Sequence, residues 1–249
     1  MGYHCIRSPR LIEEQFMKKL MSFFLLAPAL AGLAAFTVAQ AGDETLQLDL
    51  DGLQLVKKDR NGEIYANPDV DWSVYTAIVL EDATVAFRRN WKRDQNQYQP
   101  FKVQDSDVER IKRQLGELFH EVFAEELTKD DGYTLTDTHG SNVLVIQPAI
   151  VNLDIYAPDT NRPYPSRQYT DQAGEMTLKL AIFDSVTGDL LATARDRRRS
   201  PYRGYYQWTN SVTNLSDARQ ILIRWADTLR ERLDQARVTG TPALVADGN

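Results

Sequence analysis

The strongest local concentration of chemistry in this 249-residue sequence lies between Arg195 and Trp208. From Arg195 to Arg203 there are five arginines and one aspartate, a local charge of +4 in a chain whose formal net charge is -6. Arginine forks bind carboxylate and phosphate bidentately, and tyrosine or tryptophan faces stack on sugars or on guanidinium itself. The candidate binding residues are Arg195, Arg197, Arg198, Arg199, Tyr202, Arg203, Tyr205, Tyr206 and Trp208. The competing reading is a solvated strand end running into a loop whose aromatic side chains cover the core.

A second possibility is acid–base work by paired carboxylates, as in glycoside hydrolysis. Asp154, Asp159 and Glu175 flank the loop from Pro158 to Asp171 and are the candidates. The histidines offer less. His120 is followed by Glu121, but no second histidine stands at the i+4 position that a zinc-binding helix requires. His139 lies in Thr138-His139-Gly140-Ser141, without the G-x-S-x-G elbow of a nucleophile. No P-loop or dinucleotide fingerprint occurs, so no cofactor and no metal is expected, and no catalytic residue is assigned. The acidic balance argues against nucleic acid as a partner.

The amino-terminal segment differs in kind from the rest of the chain. Lys18 and Lys19 follow Met17, and Leu20 to Val38 carry no charge and are rich in Leu, Phe and Ala. Ala39-Gln40-Ala41 then supplies a small-x-small cleavage site, with Ala39 and Ala41 at its key positions. Positive, apolar and small-residue regions in that order describe a secretory signal peptide over residues 17–41. Retention as a membrane anchor is the competing reading. Residues 1–16 carry Glu13 and Glu14, unusual in a leader, and read as an extension upstream of the true start, with an unusually long leader as the alternative. Cleavage after Ala41 leaves 25 basic and 33 acidic residues, a net charge of -8, and no cysteine. An exported domain of that kind rests on its apolar core rather than on disulfides. With no cysteine after the apolar stretch, no lipid anchor is expected, and the expected location is the periplasm.

These candidate residues need a scaffold, and the hydrophobic periodicity supplies one. Leu53 to Tyr65 reads as a hairpin around Asn61-Gly62, whose residues tolerate positive φ. Tyr75–Leu80 and Ala83–Phe87 read as strands, and Gln95–Pro100 as a loop. Ser106 and Glu109 form a capping box before a helix with Val108, Ile111, Leu115, Leu118, Phe119 and Val122 on one face, stopped near Gly132. Val143–Ile146 and Val151–Ile155 read as strands, with Pro148 at a bulge or an edge.

Met176 to Ile182 and Leu190 to Arg197 then form a hairpin, with Gly188 at the left-handed position of its turn. The last helix begins near Ser216 and Asp217. It buries Ala218, Ile221, Leu222, Trp225, Leu229 and Leu233, while Arg219, Arg224, Arg230, Arg232 and Arg237 mostly face water. The order predicts one α+β domain over residues 42–238, a mostly antiparallel sheet with two main helices on one face, and a flexible tail over 239–249.

Several separated motifs carry a resemblance. They are Asp71-Trp72-Ser73-Val74-Tyr75, Val85-Ala86-Phe87-Arg88, Gly174-Glu175-Met176-Thr177-Leu178 through Asp184 to Gly188, Asp196-Arg197-Arg198, and Asn210 to Asn214 ahead of the last helix. Across residues 50–236 the chain resembles an uncharacterised family of Gram-negative envelope proteins built on a domain of unknown function, many of them lipoprotein-like. The resemblance implies an envelope role and assigns no catalytic residues. The expected function is therefore a non-enzymatic binding or accessory protein of the cell envelope. Its expected partner is another envelope protein or an anionic or carbohydrate envelope component. A carboxylate-dependent hydrolase acting on an envelope carbohydrate is the alternative.

Overall fold

A computed structural model describes residues 52–97, 102–158, 168–170, 172–202, 204, 207–209 and 211–242. The leader, Ala39 and Ala41, and the candidate residues Asp159, Arg203, Tyr205 and Tyr206 lie outside the described residues.

The first hairpin forms as predicted from β1 (Gln54–Lys58) and β2 (Gly62–Ala66), for a different local reason. Neither Asn61 nor Gly62 takes a positive φ. Instead the Asp59 carboxylate accepts from the backbone N–H of Asn61 at 2.8 Å and of Gly62 at 3.1 Å, closing the turn through its side chain. Glycine is required at 62 by close approach, because a Cβ there would lie 1.8 Å from the Arg195 carbonyl oxygen.

A 3₁₀ turn (Trp72–Val74) leads to β3 (Ala77–Leu80), β4 (Thr84–Phe87) and a short helix α1 (Trp91–Gln97). The helix takes up part of the segment expected to be a loop. Trp91 is what seats it: the indole is buried, stacks on Phe87 with centroids 4.0 Å apart, and donates to the Ile155 carbonyl at 3.0 Å.

Helix α2 (Asp105–Thr128) starts ahead of the expected cap. Its capping box is Gln104 with Asp107, whose carboxylate accepts from the Gln104 N–H at 3.0 Å, while Ser106 stays exposed. Asp107 takes the role because it is buried and held by Arg110 at 3.1 Å. At the far end the helix stops at Thr128, ahead of Gly132, and Asp130 and Asp131 take left-handed backbone with φ of 50° and 56°.

β5 (Thr134–Leu135) precedes β6 (Val143–Ile155), one unbroken strand through Pro148. β3 pairs with Val143–Ile146 and β4 with Ala149–Leu153 along the same flank of β6. The Ile146 carbonyl, which accepts from Glu81 on that flank, shares its direction with Pro148 two residues on. The missing N–H therefore falls between the two partner strands, and Pro148 is neither at a bulge nor on an edge strand. The bulge in β6 comes later, between Val151 and Asp154, where Asn152 takes φ 53°.

β7 (Gln168–Thr170) is followed by β8 (Gly174–Asp184) and β9 (Leu190–Arg199), joined as predicted by a turn with Gly188 at φ 75°. β10 (Gln207–Thr209) pairs with β7, and α3 (Ser211–Thr239) closes the domain. Helix α3 begins five residues before Ser216, so Asp217 is a buried interior residue rather than part of a first turn. The sheet order is β1-β2-β9-β8-β6-β3-β5, with β4 also on β6. Its long ladders are antiparallel and its short ones, β3 and β4 on β6 and β5 on β3, are parallel.

One face of the sheet presents Leu144, Ile146, Ile150, Leu178, Leu180, Ile182 and Ala192 to the buried stripes of α2 and α3. Each large side chain buried there contributes about 1.5–3 kcal/mol. The helices are also joined by Arg230, which is not a water-facing arginine: its side chain is 15% exposed. Its guanidinium donates to the Leu127 and Lys129 carbonyls at 3.0 and 2.8 Å, capping the end of α2. Trp72 N–H donates to the Gly240 carbonyl at 3.0 Å just beyond α3.

Candidate functional site

Alternation along β9 divides the arginine-rich segment in two. Asp196 and Arg198 stand in register with Leu178 and Met176 of the core face, whereas Arg195, Arg197 and Arg199 are exposed on the opposite face. On the helix side Asp196 Oδ2 accepts from Arg198 Nε at 2.7 Å and from Trp225 Nε1 at 2.6 Å. Those residues tie β9 to α3. The opposite face carries a row of three arginines at the two-residue repeat of a strand.

Glu175 on β8 organises that row. Its two oxygens accept separately from Arg197 Nη2 and Arg199 Nε, each at 2.5 Å. Burial pushes the Glu175 carboxyl up, but the two arginine hydrogen bonds together outweigh it and hold it below its ordinary value. One carboxylate between two guanidiniums leaves a net positive charge and unused N–H donors. Arg195 stands opposite Glu63 in the ladder and makes no ion pair among the described residues.

The end of the row is pinned by Ser200, which is buried. Its hydroxyl accepts from the backbone N–H of Ala173 at 2.8 Å and of Gly174 at 3.2 Å, fastening β9 to the start of β8. Gly174 is again a close-approach glycine: a Cβ would lie 2.1 Å from the Asp154 carbonyl oxygen. Beyond Ser200, Tyr202 is 71% exposed. Trp208 lies in β10 opposite Tyr169 of β7, so the carboxylate-flanked loop and the arginine–tyrosine segment, separate in sequence, meet in one antiparallel ribbon.

The carboxylate candidates also converge. Asp154 and Glu175 are register partners on β6 and β8, and both line a cavity of about 80 Å³ closed by Ile111, Leu115, Leu215 and Ile221. Each is already engaged by arginine. Asp154 accepts from Arg88 Nε at 2.7 Å, and Arg88 also reaches Asp94 at 2.8 Å. A glycosidase needs a carboxyl whose affinity for its proton is raised, and Glu175 is shifted the other way. The histidines stand apart from this end: His120 is exposed 3.7 Å from Asp82, and His139 Nδ1 lies 2.9 Å from the Ser185 carbonyl.

Sequence reasoning missed a second feature. Between α3 and the β1–β2–β9 end of the sheet lies an apolar cleft of about 130 Å³, lined by Val56, Ile64, Leu180, Trp72, Trp225 and Leu233 among others. Its walls come from four separate stretches of chain, so no local pattern announces it. No helix among the described residues is long and apolar enough to cross a membrane.

Solved structures offer distant likenesses. The PelC dodecamer from Paraburkholderia phytofirmans is 9% identical, with a TM-score of 0.33, covering 68% of this chain and 97% of that one. A PDZ domain protein from Parabacteroides distasonis is 13% identical, with a TM-score of 0.36 and coverages of 73% and 38%. Protein XCC0632 from Xanthomonas campestris is 13% identical, with a TM-score of 0.31 and coverages of 70% and 90%. No curated protein matches the chain. A family model does, over residues 43–229, with the motifs quoted above inside that span or at its edges, and the chain belongs to the family it describes, protein of unknown function DUF3313.

Proposed function

We propose that this is an exported, non-enzymatic binding protein of the cell envelope that engages an anionic envelope component through the helix-free face of β9. The observation that carries the reading is the convergence of Arg197 and Arg199 on Glu175, with Arg195 in the same exposed row. A guanidinium pair held by one carboxylate is oriented before a ligand arrives, which reduces the side-chain ordering that binding costs. The leader and its Ala39-Gln40-Ala41 site support export, and the absence of a cysteine after residue 41 supports release without a lipid anchor.

Charge reversal of Arg197 and Arg199 tests the reading. Because it crowds three carboxylates around position 175, Arg195→Glu serves as a companion variant. Both variants are expected to keep their far-UV circular dichroism and to lose the anionic envelope component that the wild type retains. Retention equal to wild type in both variants overturns the proposal. For export, intact-mass measurement of the periplasmic form is expected to show a chain beginning near Gly42; a cytoplasmic full-length chain overturns it.

A further inference from the structure

We infer that the cleft between α3 and the β1–β2–β9 end of the sheet binds a single-chain carboxylate amphiphile, with its tail against Trp72 and Trp225 and its carboxylate on Arg232. The inference is independent of the arginine row, which occupies the other face of the sheet. The cleft floor is Ile64, Leu178, Leu180, Ala192 and Ala194, and its helical wall is Trp225, Leu229, Leu233 and Ala236. At about 130 Å³ it is close to the size of an engineered apolar cavity, about 150 Å³, that stays dry and takes up benzene. That is room for an apolar tail on the order of six carbons.

The charges around the cleft specify the head group. Each lining acid has a basic partner within 4 Å: Asp59 with Lys57 at 3.2 Å, Glu63 with Lys58 at 3.7 Å, and Asp196 with Arg198 at 2.7 Å. Arg195 also belongs to the lining and has no ion pair among the described residues, but alternation along β9 places it in the exposed row on the opposite face. That leaves Arg232, half-buried on α3, with no ion pair or hydrogen bond among the described residues. An apolar slot with one unmatched cation on its helical wall complements an apolar tail with one negative charge, and a guanidinium fork matches a carboxylate in shape as well as sign. Small side chains at Ala66, Ala192, Ala194 and Ala236 keep the slot open.

Titrating the full chain with octanoate while following tryptophan fluorescence tests this, since Trp72 and Trp225 both line the cleft. Octanoate is expected to give a saturable change below its micellar concentration. Arg232→Gln should weaken octanoate binding about tenfold or more, the loss of a charge-assisted hydrogen bond, while leaving 1-octanol binding unchanged. Ala194→Leu should fill the floor and abolish both responses with the circular dichroism spectrum retained. The inference is overturned if octanoate gives no saturable change, or if Arg232→Gln binds it as tightly as wild type. It is also overturned if the wild type is a dimer that Ala194→Leu dissociates, which would place a second copy in the cleft.

Discussion

Trp225 Nε1 donates to Asp196 Oδ2 at 2.6 Å, and through this bond α3 holds the strand that carries the arginine row. The same oxygen takes Arg198 Nε from the helix side, so the core-facing half of the segment is an anchor, while Arg195, Arg197 and Arg199 stand exposed on the other face.

Trp225→Phe keeps an aromatic ring in the core and removes the donor together with part of the indole's volume. A hydrogen bond to a charged group contributes about 1.5–3 kcal/mol, so the unfolding free energy should fall by at least that amount, read as a lower urea midpoint with the m-value unchanged. An unaltered midpoint would show that α3 is held to β9 by packing alone.

Two glycines should respond differently to alanine. At Gly62 a Cβ meets backbone at 1.8 Å, so Gly62→Ala must push β2 away from β9 and should cost more than about 2 kcal/mol. Gly188 has open space but φ 75°, so Gly188→Ala carries only the left-handed penalty of about 1–2 kcal/mol. Denaturant unfolding of both variants checks the order; a larger loss at Gly188 contradicts the close-approach argument.

Arg230→Lys is expected to destabilise the domain by about 1–3 kcal/mol despite preserving the charge. A lysine ammonium lacks the fork that reaches two carbonyls at the end of α2 while holding Asp234 at 2.7 Å. Hydrogen exchange should show faster opening of the amides around Leu127 to Tyr133. Exchange matching wild type there would remove Arg230 from its capping role.

Stability should fall in acid partly through Glu175. Its folded carboxyl lies below its ordinary value of 4.5, so its contribution is present above that value and is lost as pH falls through the lower, folded value. Glu175→Gln should therefore be less stable than wild type at pH 6, with the gap in urea midpoint closing as pH drops toward 3. A gap that stays constant with pH would mean that the pairing with Arg197 and Arg199 adds nothing to folding.

What was legible in the sequence was what is local. Met176 to Arg197 announces its hairpin by alternation and a turn glycine, and Leu115, Leu118, Phe119 and Val122 announce the buried stripe of α2. Boundaries decided by tertiary contacts were not legible. Gln104 rather than Ser106 caps α2 because Asp107 is buried, and β6 runs through Pro148 because two different strands share its flank. The site divides the same way. The arginines stand out by composition, but their division into two faces required β9 to be one strand to Arg199, and their organiser, Glu175, is 22 and 24 residues away in sequence. The cleft could not be read at all, since it exists only once α3 crosses β8 and β9.

The account turns on the exposed arginine row being a binding surface. A photo-reactive residue in place of Arg195, irradiated in intact cells, tests it most directly, with Val186 at the distant hairpin tip, 65% exposed, as the control position. The predicted result is an adduct with an anionic envelope component from position 195 alone, diminished as ionic strength rises. No adduct from 195, or the same adduct from both positions, would contradict it.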